Sequence, residues 1–95
     1  METNSHILVV DDEQDLCEIL KFNLETEGYN VETANSAEEA LEMGIEKFDL
    51  LLLDVMMGGM SGFALAKRLK ENPLTAGIPI IFLTAKDTEN DTVTG

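Results

Sequence analysis

Four short apolar runs divide the chain, and in the three segments between them the apolar positions recur at helical intervals. His6 to Val10 is β-branched and aliphatic and stops abruptly at Asp11 and Asp12, the pattern of a buried strand that delivers acids at its carboxyl end. Leu16, Ile19, Leu20, Asn23 and Leu24 follow with helical spacing as far as Gly28, which suits a helix stop. Tyr29 to Ala34 alternates like an outer strand. Ser36 with Glu39 reads as a capping box, opening a second helix with Ala37, Ala40, Leu41, Gly44 and Ile45 on one narrow face. Phe48 to Leu53 is the most apolar run, and it too ends at an acid, Asp54. After a loop rich in Gly and Met, Ser61 is placed to cap a third helix whose apolar positions include Phe63, Ala66 and Leu69, and Asn72-Pro73 ends it. Pro79 opens the fourth run, Ile80 to Leu83, which finishes at Thr84.

Strands alternating with helices imply right-handed crossovers and a parallel sheet covered on both faces, so the pattern predicts a doubly wound α/β domain. In such sheets ligands gather at the carboxyl edge where strand order reverses, and Asp11, Asp12, Asp54 and Thr84 all emerge from that edge. A chain of 95 residues supports one core, burying a little over ~60% of its unfolded surface. It shows no internal repeat and no interdomain linker. No run approaches the ~18 apolar residues of a membrane span, and Met1 to Asp11 lacks the pattern of a signal peptide, so a cytoplasmic domain with no membrane contact is expected.

Charge narrows the partners. Nineteen acidic residues against six basic ones give a formal charge of −13, which disfavours direct contact with nucleic acid or an anionic membrane and favours a cation or a basic partner. Most of this acidity is ordinary solvated surface. Cys17 is the only cysteine, which excludes an internal disulfide, and its place among helical apolar positions makes it a packing thiol.

With a 2-1-3-4 strand order, the first and third strands are neighbours and their terminal acids converge. Carboxylates ~5 Å apart repel by ~3 kcal/mol per pair at an effective dielectric of ~20, a cost that needs compensation. A hard divalent cation provides it. Mg²⁺ suits an acid cluster without His or Cys donors, and Mn²⁺ can stand in for it. Taken singly, Asp12 could merely cap the first helix, and Asp11 or Asp54 could be solvated strand ends. Taken together, those explanations leave unexplained why the two most apolar strands, side by side, both end in acid. Thr84 can point its hydroxyl into the same pocket and donate to an anion, and the segment Val55 to Ser61, with Gly58 and Gly59, lets backbone come close.

The Asp11-Asp12 pair, the run Leu51-Leu52-Leu53-Asp54-Val55-Met56-Met57 followed by Gly62, and Ile80-Ile81-Phe82-Leu83-Thr84-Ala85 closely resemble the receiver domain of two-component response regulators. The resemblance spans the whole chain. It implies a flavodoxin-like fold in which Asp54 accepts a phosphoryl group from a phosphohistidine of a sensor histidine kinase or a histidine phosphotransfer protein. It also implies that Asp12 binds Mg²⁺ directly, Asp11 mainly through water, and Met56 through its backbone carbonyl, while Thr84 bonds a phosphoryl oxygen and starts the conformational switch. Lys86 corresponds to positions that tune dephosphorylation, although a solvated lysine accounts for it as simply.

Two departures stand against the resemblance. Gly58 occupies a position where many receivers carry proline, which loosens the loop without removing a ligand. The family also continues through another helix, a fifth strand and a last helix, carrying a lysine that grips the phosphoryl group and a switch aromatic, whereas this sequence ends at Gly95. The expectation is an incomplete receiver of four strands and three helices that binds Mg²⁺ but takes and holds phosphate poorly. Its apolar fourth strand, Ile80 to Leu83, is expected to seek a partner and form a homodimer. Other functions fit less well. An aspartyl-phosphate phosphatase of the haloacid dehalogenase type would need a second Asp two positions after its nucleophile, and a flavodoxin-type flavin site would be repelled by Asp11-Asp12-Glu13. A receiver-like interaction module that is never phosphorylated is the remaining alternative.

Overall fold

The computed structural model describes residues 5–56 and 59–83. Within them lie strands β1 (His6–Val10), β2 (Asn30–Ala34), β3 (Leu50–Asp54) and β4 (Ile80–Leu83), and helices α1 (Gln14–Thr26), α2 (Ala37–Glu42) and α3 (Gly62–Lys70). All strand pairs are parallel and the order is β2-β1-β3-β4. Parallel neighbours cannot be joined by a tight turn, so each connection carries a helix across one face of the sheet. The result is the doubly wound α/β fold that the alternation of runs predicts, of the flavodoxin-like kind that the resemblance implies.

The core divides by side-chain alternation along the strands. Leu8 and Val10 of β1 with Leu51 and Leu53 of β3 face α2 and α3, packing with Ala37, Ala40, Phe48, Leu65 and Leu69. On the opposite face, Ile7, Val9, Val31 and Leu52 pack with Cys17 and the half-buried Leu20 and Leu24 of α1. Strand β1 is therefore buried from Ile7 to Val10, which explains its unbroken apolar run.

Local signals set the helix ends. Gly28, at φ +100°, closes α1: its N–H donates to the Glu25 carbonyl at 3.0 Å and that of Tyr29 to Leu24 at 3.2 Å. Ser36 Oγ accepts from Glu39 N at 3.0 Å, and Glu39 Oε1 accepts from Asn35 N at 2.8 Å, one residue before the donor a capping box ordinarily uses. Ser61 Oγ accepts from Ala64 N at 3.1 Å and starts α3.

Three expectations are corrected. Ile19 is 57% exposed and Asn23 is also exposed, because the inward stripe of α1 is centred on Cys17, Leu20 and Leu24. Phe63 is 59% exposed, since α3 buries Gly62, Leu65, Ala66 and Leu69; its ring instead meets that of Phe82 at 4.8 Å between centroids. Helix α2 ends at Glu42, because Gly44 adopts φ +78° and Ile45 enters the core from a separate 3-10 turn, Ile45–Lys47. Among the described residues β4 lies at the sheet border, with Ile81 52% exposed.

Candidate metal centre

The register of the sheet assembles the site. Val10 of β1 pairs with Leu53 of β3, so the residues that follow, Asp11 and Asp54, come side by side at the carboxyl edge. One carboxylate oxygen from each of Asp11, Asp12 and Asp54 lies within 4.8 Å of the others. Asp11 and Asp54 are buried, at 2% and 4% exposure, whereas Asp12 is exposed.

Asp11 is fixed on every side. Its N–H donates to the Ala34 carbonyl at 3.0 Å, and its Oδ1 accepts from Glu13 N at 2.8 Å. Its carbonyl accepts from Cys17 Sγ at 3.3 Å and from Asn35 Nδ2 at 3.1 Å. Asp12 is not the cap of α1: Glu13 occupies that position and makes no side-chain capping bond, while the carboxylate of Asp11 satisfies the Glu13 N–H. Asp54 ends β3, and its Oδ1 accepts from Met56 N at 3.3 Å. Met56 is otherwise exposed. Thr84, Lys86 and Gly58 lie outside the described residues.

Electrostatics make this cluster unfavourable on its own. Burial raises the Asp11 carboxyl above its usual range; the Glu13 N–H offsets part of the rise, and the charges of Asp54, Asp12 and Glu13 add to it. The residues present fit a hard divalent cation, because the donors are all carboxylate oxygens and two of them are held out of water. Cys17 is no soft ligand: burial, reinforced by the Asp11 charge, pushes its thiol up to about 11, so it stays protonated and donates to the Asp11 carbonyl.

The raised Asp11 gives a definite pH dependence. An acid whose folded pKa exceeds its unfolded value binds more protons in the folded state, so its contribution to stability falls as pH rises between the two values. In metal-free buffer, raising the pH through and above the ordinary carboxylate range is therefore expected to lower the thermal midpoint of the wild type more than that of Asp11→Asn. The asparagine keeps an oxygen for Glu13 N and loses the titration. Thermal melts in chelator across that interval test this, and parallel curves for the two proteins would overturn it.

The apolar and polar pattern does not reveal the roles of two residues beside the site, although Gly62 belongs to the motif that carries the resemblance. A Cβ on Gly62 would lie 2.2 Å from the Asp54 carbonyl oxygen and 2.9 Å from its carbon, so only glycine lets α3 begin against the Asp54 backbone. Asn35 follows β2, whose last residue Ala34 pairs with Val10; that register, read one position on, is the signal that sets it beside Asp11.

Comparison with known proteins agrees with this geometry. The family model described as the response regulator receiver domain matches residues 7–95. The chain is 47% identical over 93 residues to the alkaline phosphatase synthesis transcriptional regulatory protein PhoP of Bacillus subtilis, covering 97% of this chain and 38% of that protein. It is 42% identical over 89 residues to the response regulator SaeR of Staphylococcus aureus, covering 94% of this chain and 38% of SaeR. The chain thus spans less than half the length of these curated relatives. Among solved structures it resembles the N-terminal domain of a response regulator receiver protein from Methanoculleus marisnigri, with TM-score 0.82 and 35% identity over 96% of this chain and 83% of that one. Chemotaxis protein CheY4 of Vibrio cholerae follows at TM-score 0.83 and 27% identity, over 98% and 86% of the two chains. With its acids gathered at the carboxyl edge of a 2-1-3-4 sheet and the family match running across nearly its whole length, this chain belongs to the response regulator receiver domains.

Proposed function

We propose that this domain accepts a phosphoryl group on Asp54 from a phosphohistidine of a sensor histidine kinase or histidine phosphotransfer protein, as a cytoplasmic signalling receiver rather than a turnover enzyme. The observation that carries the reading is the buried Asp54 carboxylate at the end of β3, with oxygens of Asp11 and Asp12 within 4.8 Å. A buried carboxylate so surrounded by like charge is retained at a cost that a nucleophile and its cation site explain.

Mg²⁺, or Mn²⁺ in its place, would be held by Asp12, Asp54, the Met56 carbonyl and, mainly through water, Asp11, and would neutralise charge on the transferring phosphoryl group. The chain's own groups orient the nucleophile. Met56 N–H holds Asp54 Oδ1, and the second carboxylate oxygen remains for other partners. In the transfer, an Asp54 oxygen forms a bond to phosphorus in line with the breaking phosphorus–nitrogen bond, whose electron pair stays on the donor imidazole. Positioning dominates, since this chemistry asks little of the protein beyond alignment and charge compensation. In the same reading the Thr84 hydroxyl bonds a phosphoryl oxygen and draws its loop inward, and Lys86 tunes hydrolysis.

Brief exposure to acetyl phosphate, quenched and read by intact mass, tests the proposal. Addition of one phosphoryl group that requires Mg²⁺, is abolished by chelator and maps to the peptide containing Asp54 is the expected result. Labelling indifferent to the cation, or mapped elsewhere, would refute it.

A further inference from the structure

We propose that Asn35 is a positioning residue for the metal cluster, aiming the Asp12 carboxylate by holding the peptide that joins Asp11 to Asp12. This inference rests on reading Asp11, Asp12 and Asp54 as a cation site. The carbonyl of Asp11 belongs to that peptide, and it accepts from both Asn35 Nδ2 at 3.1 Å and Cys17 Sγ at 3.3 Å. A third contact, Asn35 Nδ2 to Cys17 Sγ at 3.9 Å, closes the triangle. Its chemistry fixes the asparagine amide: reversing it would set the amide oxygen against the Asp11 carbonyl oxygen, leaving two acceptors and no donor.

Rotation of a peptide plane changes ψ of the residue before it and φ of the residue after it. Asp11 is already held through its N–H by Ala34 and through Oδ1 by Glu13, so freedom in this plane falls mainly on Asp12. Asp12 is the exposed member of the cluster, and the peptide held by Asn35 and Cys17 is part of the backbone that carries its side chain. Asn35 arrives at this position because β2 runs in register with β1, and it stands at the edge of the sheet without touching the cluster's carboxylates. Its backbone has a separate task, donating to Glu39 Oε1 at the start of α2. The two roles are therefore separable by mutation. Groups that orient metal ligands typically change affinity by ~10–100-fold when removed, and an exposed asparagine sharing its task with Cys17 belongs at the lower end.

Magnesium titration followed by amide NMR, which also reports whether each variant is folded, tests the assignment. In Asn35→Ala, Mg²⁺ binding is expected to weaken by about tenfold, with the largest metal-free amide shifts at Asp12 and Glu13. Asn35→Asp separates geometry from charge: an added anion alone would tighten cation binding, whereas loss of the donor weakens it. Glu39→Ala removes the contact to the Asn35 backbone and is expected to leave Mg²⁺ affinity within about twofold of wild type, because the side-chain donor remains. Unchanged affinity in Asn35→Ala, or equal weakening in Glu39→Ala, would overturn the role of Asn35 while leaving the cation site intact. Failure of the wild-type protein to bind Mg²⁺ would instead overturn both.

Discussion

Replacing Asp54 by asparagine is expected to reduce phosphoryl incorporation to background and at the same time to stabilise the metal-free domain. The amide has no anionic oxygen to attack phosphorus, so the loss should exceed the hundredfold that attends removal of an auxiliary catalytic group. The gain in stability has a separate origin. Asp54 is 4% exposed beside the equally buried Asp11, and both carry charge near Asp12. At ~5 Å and an effective dielectric of ~20, one like-charge pair costs ~3 kcal/mol before screening, so removing the Asp54 charge should stabilise by about 1–3 kcal/mol in chelator. Its Oδ1 remains available to Met56 N, so the loop contact survives. Added Mg²⁺ should narrow the difference by raising the wild type more than the variant. Urea unfolding with and without Mg²⁺ measures this. A variant less stable than wild type in chelator would show that Asp54 serves the fold instead of straining it.

The second large effect is expected from Gly62→Ala, with a loss of about 3 kcal/mol, at the upper end of what overpacking costs. An alanine Cβ would meet three backbone atoms: the Asp54 carbonyl oxygen at 2.2 Å, its carbon at 2.9 Å and Val55 Cα at 3.1 Å. None can rotate aside like a side chain, so either α3 lifts from the sheet or the end of β3 shifts. The sign is informative, because alanine in a helix is otherwise favoured over glycine by ~1 kcal/mol. Since the obstructing atoms are those of Asp54, Mg²⁺ affinity should fall together with stability. Gly77→Ala is the control: nothing lies within 4 Å of its Cβ, and it should be near neutral. Equal melting temperatures for the two variants would show that the close approach at Gly62 relaxes freely.

Much of the molecule was legible because its signals are local. Strand ends at Asp11 and Asp54 follow from abrupt loss of apolar character, and the caps at Ser36 and Ser61 act within three residues of themselves. Alternation of strands with helices also constrains topology, since crossovers of one hand allow few arrangements. Less legible were the helix faces. Ile19 and Phe63 obey helical spacing yet stand exposed, because spacing identifies an apolar stripe without saying where the sheet meets it.

By itself, the sequence determined that two apolar strands end in carboxylates and that a parallel α/β sheet would carry them to one edge. Only the tertiary structure decided that Asp11 and Asp54 are buried together, that Gly62 rests on the Asp54 backbone, and that Asn35 reaches the Asp11 carbonyl across 24 residues of chain. Local propensity acts over a few bonds. Proximity between distant residues exists only once register brings β2, β1 and β3 side by side.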